Sequence, residues 1–227
     1  MPTTAPARRV LVHMGHVSPR EPGFTTQTGA AGEIEEVEAI GKRLYALLDA
    51  DARLTPTLCG GDVPDGWTGD IVLALHCDGS SNPAARGYSL GWPPAEYGPK
   101  TLRLIDHLET RYEAIAGHPP HHSDNYTADM RGYYAWHRTH ADAKVLVEHG
   151  FLSNEADRLW LQSHVLAIAQ AWYLAVLDYY GLALQELPTW EVVDAKGKVV
   201  YQGTWAKVLV WLKPKKWAGP LTIRRVK

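Results

Sequence analysis

Two histidines and one glutamate of this chain stand where short apolar runs end. The runs, residues 9–14, 70–75 and 145–147, are apolar enough to predict buried β-strands. His16 comes just after the first run, and His76 and Glu148 directly follow the other two. In α/β proteins the carboxyl ends of the strands form the sheet edge at which ligands bind. These three side chains are therefore candidates for one functional site.

The residues next to these candidates predict a turn, and their spacing argues against His13 as a further metal ligand. After Glu148 the backbone is expected to turn at His149 and Gly150, before a helix begins near residue 154. His13 does not form a metal pair with His16 in this interpretation, because two residues three positions apart on a strand point to opposite faces.

A carboxylate is available between the two histidines in the sequence. A helix predicted over about residues 33–48 carries Glu33, Glu35 and Glu36 in its first turn. Acidic side chains at a helix N-terminus are favoured by the helix dipole, which by itself accounts for two of the three. Two neutral imidazoles and one carboxylate are the ligand set of an open catalytic zinc site, in which water fills the fourth position. The combination indicates a hydrolytic metal centre.

The composition sets the class of protein in which such a site would lie. A chain of 227 residues with 45% hydrophobic residues is long enough for one core and a small appendage. It has no apolar run of transmembrane length, and its first residues lack the apolar core of a secretion signal. Cys59 and Cys77 have neither disulfide-framework nor metal-cluster spacing. We therefore expect a soluble protein that is made in the cytoplasm.

Charge divides the chain into two parts. Residues 188–227 contain nine Lys or Arg and two acids, a net charge of +7, whereas the rest contains 14 bases and 23 acids, a net charge of −9. We predict a catalytic domain over residues 1–185 and a basic C-terminal module over residues 188–227. The module holds four of the nine tryptophans, and its pattern predicts strand, strand, short helix and strand, a ββαβ-like arrangement.

The chain contains, in this order, the stretches VLVHMGH, GAAGEIEEVEAIGKRL, DIVLALHCDGSSNPAARGYSL and VLVEHGFLSN. They resemble the four ordered blocks of the zinc-dependent N-acetylmuramoyl-L-alanine amidases of the Amidase_3 type, over about residues 9–180. The resemblance implies an α/β fold with a twisted mixed sheet flanked by helices. It also implies cleavage of the amide bond between the lactyl group of N-acetylmuramic acid and L-alanine.

Carried over residue by residue, the resemblance assigns His16 and His76 as zinc ligands, Glu33 as the ligating carboxylate and Glu148 as the catalytic glutamate. A helix register shifted by one turn would select Glu36 instead of Glu33. Zinc would polarise the scissile carbonyl and lower the pKa of a bound water to about 7. Glu148 would then accept the proton of that water and pass it to the leaving amine.

Two departures from the family pattern lie beside the expected ligands. The first block reads HMGHV where an Asp-Pro-Gly-His-Gly type is common, and Cys77 and Asp78 follow His76 where Ala-Asn is usual. Both leave the ligands intact. The second departure would affect how the substrate sugar is held around Asp78.

The resemblance implies peptidoglycan as the substrate and an enzyme like the phage or prophage endolysins, which collect in the host cytoplasm until the inner membrane is breached. The basic, tryptophan-rich module favours contact with anionic envelope polymers or membrane lipids. No nucleic acid is expected, because the module matches no nucleic-acid-binding motif. Two rival functions are a zinc peptidase or carboxypeptidase that acts on the stem peptide, and a non-catalytic wall-binding protein.

Overall fold

A five-stranded mixed sheet forms the centre of the first of two compact units, Met1–Ala183 and Leu184–Lys227. The computed structural model describes residues 7–17, 29–94, 98–184, 189–194, 196, 198–204 and 222–225. The strands are β1 (Arg8–Met14), β2 (Leu54–Cys59), β3 (Trp67–Asp78), β4 (Ser89–Gly91) and β5 (Thr139–Phe151), in the spatial order β2-β1-β3-β5-β4. The first four in that order are parallel, and β4 is antiparallel to β5. The predicted α/β fold with a mixed sheet is confirmed.

Helices flank this sheet. They are α1 (Glu33–Asp49), α2 (Pro99–Glu113), α3 (Ala128–Arg131), α4 (Tyr134–Arg138) and α5 (Glu155–Tyr180). The side chain of Asn154 caps α5 by accepting hydrogen bonds from two backbone amides of the first turn, and Gly181 ends the helix in the left-handed conformation. Helix α5 packs against α1 and α2, and α1, α2 and α5 all contact the sheet.

The two faces of the sheet have different roles. On one face Leu11, Ala74 and Leu146 belong to a buried cluster with Met130 and Trp136 from the segment of α3 and α4. On the other face Gly41 of α1 lies against Met14 and Leu75. Side chains alternate along a strand, so a residue two positions after Leu11, Ala74 or Leu146 points to the same side, toward the α3–α4 segment. The three residues at those positions are His13, His76 and Glu148.

Strand β5 is longer than the sequence predicts, and the turn expected at His149 and Gly150 is wrong. The strand continues to Phe151, because β4 pairs with it opposite Glu148 and β3 pairs with it as far as Phe151. Strand β4 supplies backbone partners as far as Glu148, and β3 pairs with Phe151 after a shift of register, so the chain stays extended past Glu148. The backbone turns only after Phe151, at Leu152 and Ser153, and the amide of Leu152 donates to the carbonyl oxygen of Asp78.

The second unit contains an antiparallel sheet of β6 (Thr189–Val193), β7 (Val199–Thr204) and β8 (Thr222–Arg225), in the order β7-β6-β8. The three strands of the expected ββαβ-like pattern are thus present. The helix predicted between the second and third strands lies outside the described residues. Among the described helices, none has both the length and the apolar character to cross a membrane.

Candidate metal and catalytic site

Three side chains that can bind a metal converge at the carboxyl end of the sheet. They are His16 in the loop after β1, Glu33 at the start of α1 and His76 near the end of β3, and one ligand atom of each lies within 4.8 Å of the other two. The Oε1 atom of Glu33 is 3.1 Å from Nδ1 of His76 and 3.7 Å from Nε2 of His16. The three predicted ligands are therefore brought together.

Two glycines allow this close approach. A Cβ atom at Gly15 would lie 2.1 Å from the imidazole of His76, so the ring rests directly on the backbone of that glycine. A Cβ atom at Gly29 would lie 2.2 Å from the Oε2 atom of Glu33. The conformation of His16 contributes as well, because its φ of 58° is left-handed and ends the strand geometry. The alternation of β1 consequently does not fix the direction of the His16 side chain.

The carboxylate that faces the histidines belongs to Glu33. Its Oε1 atom accepts a hydrogen bond from the amide of Cys77 at 3.0 Å, and its Oε2 atom accepts one from the amide of Ala30 at 2.8 Å. Burial raises the pKa of Glu33, but the hydrogen bond with His76, the amide of Cys77 and the neighbouring histidines together lower it below its usual value. The site therefore holds Glu33 as an anion.

Glu36, the alternative carboxylate, lies outside this cluster. Its side chain is buried, and its Oε1 atom has no hydrogen-bond partner in the described part of the chain. Burial raises its pKa, an effect that Arg43 only partly offsets. The geometry thus distinguishes two glutamates that the sequence left open.

Glu148 lies beside the three converging side chains, directly opposite His76 in the pairing of β3 with β5. The side chain is partly exposed, but its Oε2 atom is enclosed and has no hydrogen-bond partner among the described residues. Its pKa is raised well above the usual value, first by burial and then by the charges of Asp78 and Glu33. An enclosed carboxyl oxygen without a partner is available to a water or a substrate.

One cavity of about 760 Å³ is lined by His16, Glu33, His76 and Glu148. Its other walls include Asp78 and two tyrosines, Tyr126 and Tyr133. The hydroxyl of Tyr126 donates a hydrogen bond to Oδ2 of Asp78 at 2.5 Å, and burial raises the pKa of that carboxyl. Asp78, one of the departures from the family pattern, thus forms part of the wall.

His149, which the sequence placed in a turn, is a buried structural residue. Its Nδ1 atom lies 2.7 Å from the carbonyl oxygen of His76, and its Nε2 atom accepts a hydrogen bond from the indole of Trp172 at 2.9 Å. The Nδ1–H group is therefore the donor to His76. Burial lowers the pKa of His149 to about 4, so the ring is neutral. It ties β5 and α5 to the backbone at His76.

The aromatic segment 131–138 provides contacts that the sequence did not predict. Trp136 of this segment is buried in the core. Tyr133, however, places its hydroxyl oxygen 2.8 Å from Nε2 of His76 and 2.6 Å from Nε2 of His13. The only sequence signal was the position of the segment just ahead of β5.

One known protein family matches most of this chain. The family described as N-acetylmuramoyl-L-alanine amidase, Amidase_3, matches residues 10–178. The chain belongs to this amidase family. The match includes all four residues singled out from the sequence, His16, Glu33, His76 and Glu148.

Solved structures of amidases share the fold of this Amidase_3 chain. The catalytic domain of CwlV from Bacillus (Paenibacillus) polymyxa aligns with a TM-score of 0.59 at 15% identity, covering 78% of this chain and 99% of that one. An amidase from Clostridium difficile 630 aligns at 0.58 with 14% identity and coverages of 78% and 98%. AmiC2 of Nostoc punctiforme aligns at 0.56 with 17% identity and coverages of 77% and 97%. The curated proteins compared with the chain gave no match.

The donor atoms of this amidase chain fit a zinc ion. Tetrahedral zinc with bonds of about 2.0 Å separates its ligand atoms by about 3.3 Å. The separations of 3.1 and 3.7 Å from Glu33 to the two histidines lie on either side of that value. Two imidazole nitrogens and one carboxylate oxygen are also a donor set that leaves a fourth position open.

Proposed function

We propose that this protein is a zinc-dependent peptidoglycan amidase that cleaves the bond between N-acetylmuramic acid and L-alanine. The observation that carries the proposal is the convergence of His16, Glu33 and His76 beside the enclosed carboxyl oxygen of Glu148. These three residues would hold the ion, and zinc, when bound, supplies a Lewis acid for the scissile carbonyl and makes a bound water more acidic.

Glu148 is the residue that moves protons in this proposal. Its pKa, which burial raises, is expected to fall beside a divalent cation, because an opposite charge favours the ionised carboxylate. The carboxylate would accept a proton from the attacking water and return it to the amine nitrogen of L-alanine as the amide bond breaks. Its position opposite His76 in the sheet keeps that transfer at the metal site.

A covalent route through Cys77 is not part of the proposal. The thiol is 3% exposed, and burial together with Glu33 and Glu148 raises its pKa well above the usual value. Because the thiolate is the nucleophilic form, a thiol kept protonated in this way is inert.

Mass spectrometry of digested peptidoglycan tests the reaction. We expect free stem peptides that begin with L-alanine, together with glycan strands of unchanged length. Shortened stem peptides still attached to muramic acid would show the rival zinc peptidase or carboxypeptidase instead. A digest identical to that of a Glu148→Gln control would show a wall-binding protein without catalysis.

We further propose that the enzyme acts as a phage or prophage endolysin, which accumulates in the host cytoplasm and reaches the wall when the inner membrane is breached. Cells that express it should then grow normally until chloroform permeabilises that membrane, and lyse afterwards. Lysis without permeabilisation, or intact cells after it, would contradict this role.

The basic C-terminal module, residues 188–227, is proposed to bind the anionic cell envelope. Its net charge of +7 would supply an attraction that salt screens within a few ångströms near 1 M, and its tryptophans would add a part that salt does not remove. Deleting residues 188–227 should therefore leave hydrolysis of soluble wall fragments nearly unchanged. Binding to intact sacculi or outer membranes should fall, most strongly at low salt, in a co-sedimentation assay.

The alternative for this unit is a purely stabilising role. A truncated protein that melts earlier and loses activity on soluble and insoluble substrates alike would contradict envelope binding.

A further inference from the structure

The hydroxyl of Tyr133 lies between two histidine rings of which only one belongs to the proposed metal site. Its oxygen is 2.8 Å from Nε2 of His76 and 2.6 Å from Nε2 of His13. The ring of Tyr133 stacks on that of His13, with centroids 5.7 Å apart, and its edge meets the ring of His76 at 5.0 Å. Both contacts use the Nε2 atom, so Nδ1 of His76 is left to face Glu33 at 3.1 Å.

The direction of the hydrogen bonds follows from the proposed metal site. The Nδ1 atom of His76 faces the carboxylate of Glu33, so it is the atom that would bind the ion. A nitrogen that binds a metal carries no hydrogen, and the hydrogen of the neutral ring then lies on Nε2. The Nε2–H group of His76 would therefore donate to the oxygen of Tyr133.

The O–H group of Tyr133 is then directed to His13. The Nε2 atom of His13 lies 2.6 Å from the hydroxyl oxygen, and the ring is fully buried. The second tyrosine of the pair, Tyr134, is 3.3 Å from the same Nε2 atom, and its own hydroxyl donates to the carbonyl of Gly61. Tyr133 therefore links the two imidazole rings while the Nδ1 atom of His76 faces Glu33.

Without an ion, Nδ1 of His76 lies within hydrogen-bond distance of Oε1 of Glu33, at 3.1 Å, so this atom is already aimed at the metal position. We propose that Tyr133 and His13 are positioning residues that hold the ring of His76 by its Nε2 atom and so present its Nδ1 atom to the metal. The proposal rests on the zinc site of the proposed function. The relay runs from His76 through Tyr133 to His13.

The first test is the zinc affinity of the full-length protein, measured by competition with a chromogenic chelator. Tyr133→Phe keeps the ring but removes the hydroxyl, and it should weaken zinc binding by 10- to 100-fold, the usual cost of losing the outer partner of a metal-bound histidine. Tyr126→Phe is the matched control, since it removes a hydroxyl of the same cavity that contacts Asp78 rather than a histidine. It should change the affinity by less than about twofold. Equal losses in the two variants, or none in Tyr133→Phe, would overturn the relay.

A double-variant cycle separates the relay from general disruption of the core. If His13 acts through Tyr133, the affinity of the Tyr133→Phe, His13→Leu protein should be close to that of the weaker single variant. Losses that simply multiply would show that the two residues act independently, and the proposed relay would be wrong.

The nitrogen of His76 that binds the ion can be observed directly. Long-range ¹H–¹⁵N spectra of histidine-labelled, zinc-loaded protein should show His76 bound through Nδ1 and protonated at Nε2 in the unaltered chain. A ring bound through Nε2 would overturn the proposal. Failure of the unaltered chain to bind zinc would instead contradict the proposed function, so the two failures are distinguishable.

Discussion

The His16→Ala and His76→Ala variants are expected to lose both the zinc of the protein and its activity on cell walls. The unaltered protein should carry one zinc per chain, because the three donor atoms lie within 4.8 Å of one another and leave a single open position. Removing one of three ligands from such a site leaves too few donors to retain the ion against dialysis. Elemental analysis after dialysis measures the metal, and turbidity of a sacculus suspension measures the activity. Undiminished zinc in both variants would refute the assignment.

The glutamate ligand offers a matched pair of variants. Glu33→Gln should lose zinc, since its carboxylate faces both histidines, whereas Glu36→Gln should keep it, since its buried side chain lies outside the cluster. Both changes remove one negative charge from the same turn of α1 and preserve side-chain volume. Loss of zinc in Glu36→Gln alone would show that the helix register of the ligand is wrong. Treatment of the unaltered protein with a chelator should abolish activity, and added zinc should restore it.

The sequence could predict where the site lies because three strands carry their functional residues at or just beyond their apolar runs. Apolar runs mark buried strands, and parallel strands bring their carboxyl ends to one edge. His76 and Glu148 are direct partners across β3 and β5 for this reason. The choice between Glu33 and Glu36 is different, because residues three apart on a helix share one face. The packing of α1 against the end of β3 decides between them, because it brings Glu33 next to His76.

The contacts of His13 could not be predicted from the strand pattern alone. His13 is not among the three converging side chains, but alternation along β1 places it on the same face as His76, and its ring approaches that of His76 on the neighbouring strand. His16 itself lies beyond the strand with a left-handed backbone, so alternation does not apply to it. Tyr133 comes from a segment 120 residues away in the sequence, and its contact with His13 depends on packing across the sheet.

The length of β5 depends on its pairing with neighbouring strands, which the residues of β5 alone do not predict. Gly150 has a positive φ, as a turn residue would, yet the segment is paired with β3 on one side and with β4 on the other up to Glu148. Strand β4 has only three residues, too few for a distinct sequence pattern. Such a short edge strand forms only because the larger sheet provides the template.

Glu148→Gln is expected to lower the rate of wall hydrolysis by at least ~100-fold, about 2.7 kcal/mol of activation free energy, while the protein keeps its zinc. Glutamine has nearly the volume of glutamate but cannot accept the proton of the attacking water. The side chain is not among the three converging ligands, so its loss should leave the metal content at one per chain and binding to sacculi unchanged. The measurements are the rate of release of soluble stem peptide and elemental analysis of the same preparation.

The matched control is Glu155→Gln, which removes an exposed carboxylate at the start of α5 and outside the residues that line the cavity. Its turnover should stay within about twofold of the unaltered protein, since surface charges of this kind contribute little. Near-normal turnover in Glu148→Gln would show that the carboxylate is structural. Loss of zinc together with activity would instead make Glu148 part of the metal site. Only a zinc-loaded, correctly folded and inactive Glu148→Gln protein fits a proton-transfer role, because that outcome separates the movement of the proton from the binding of the ion.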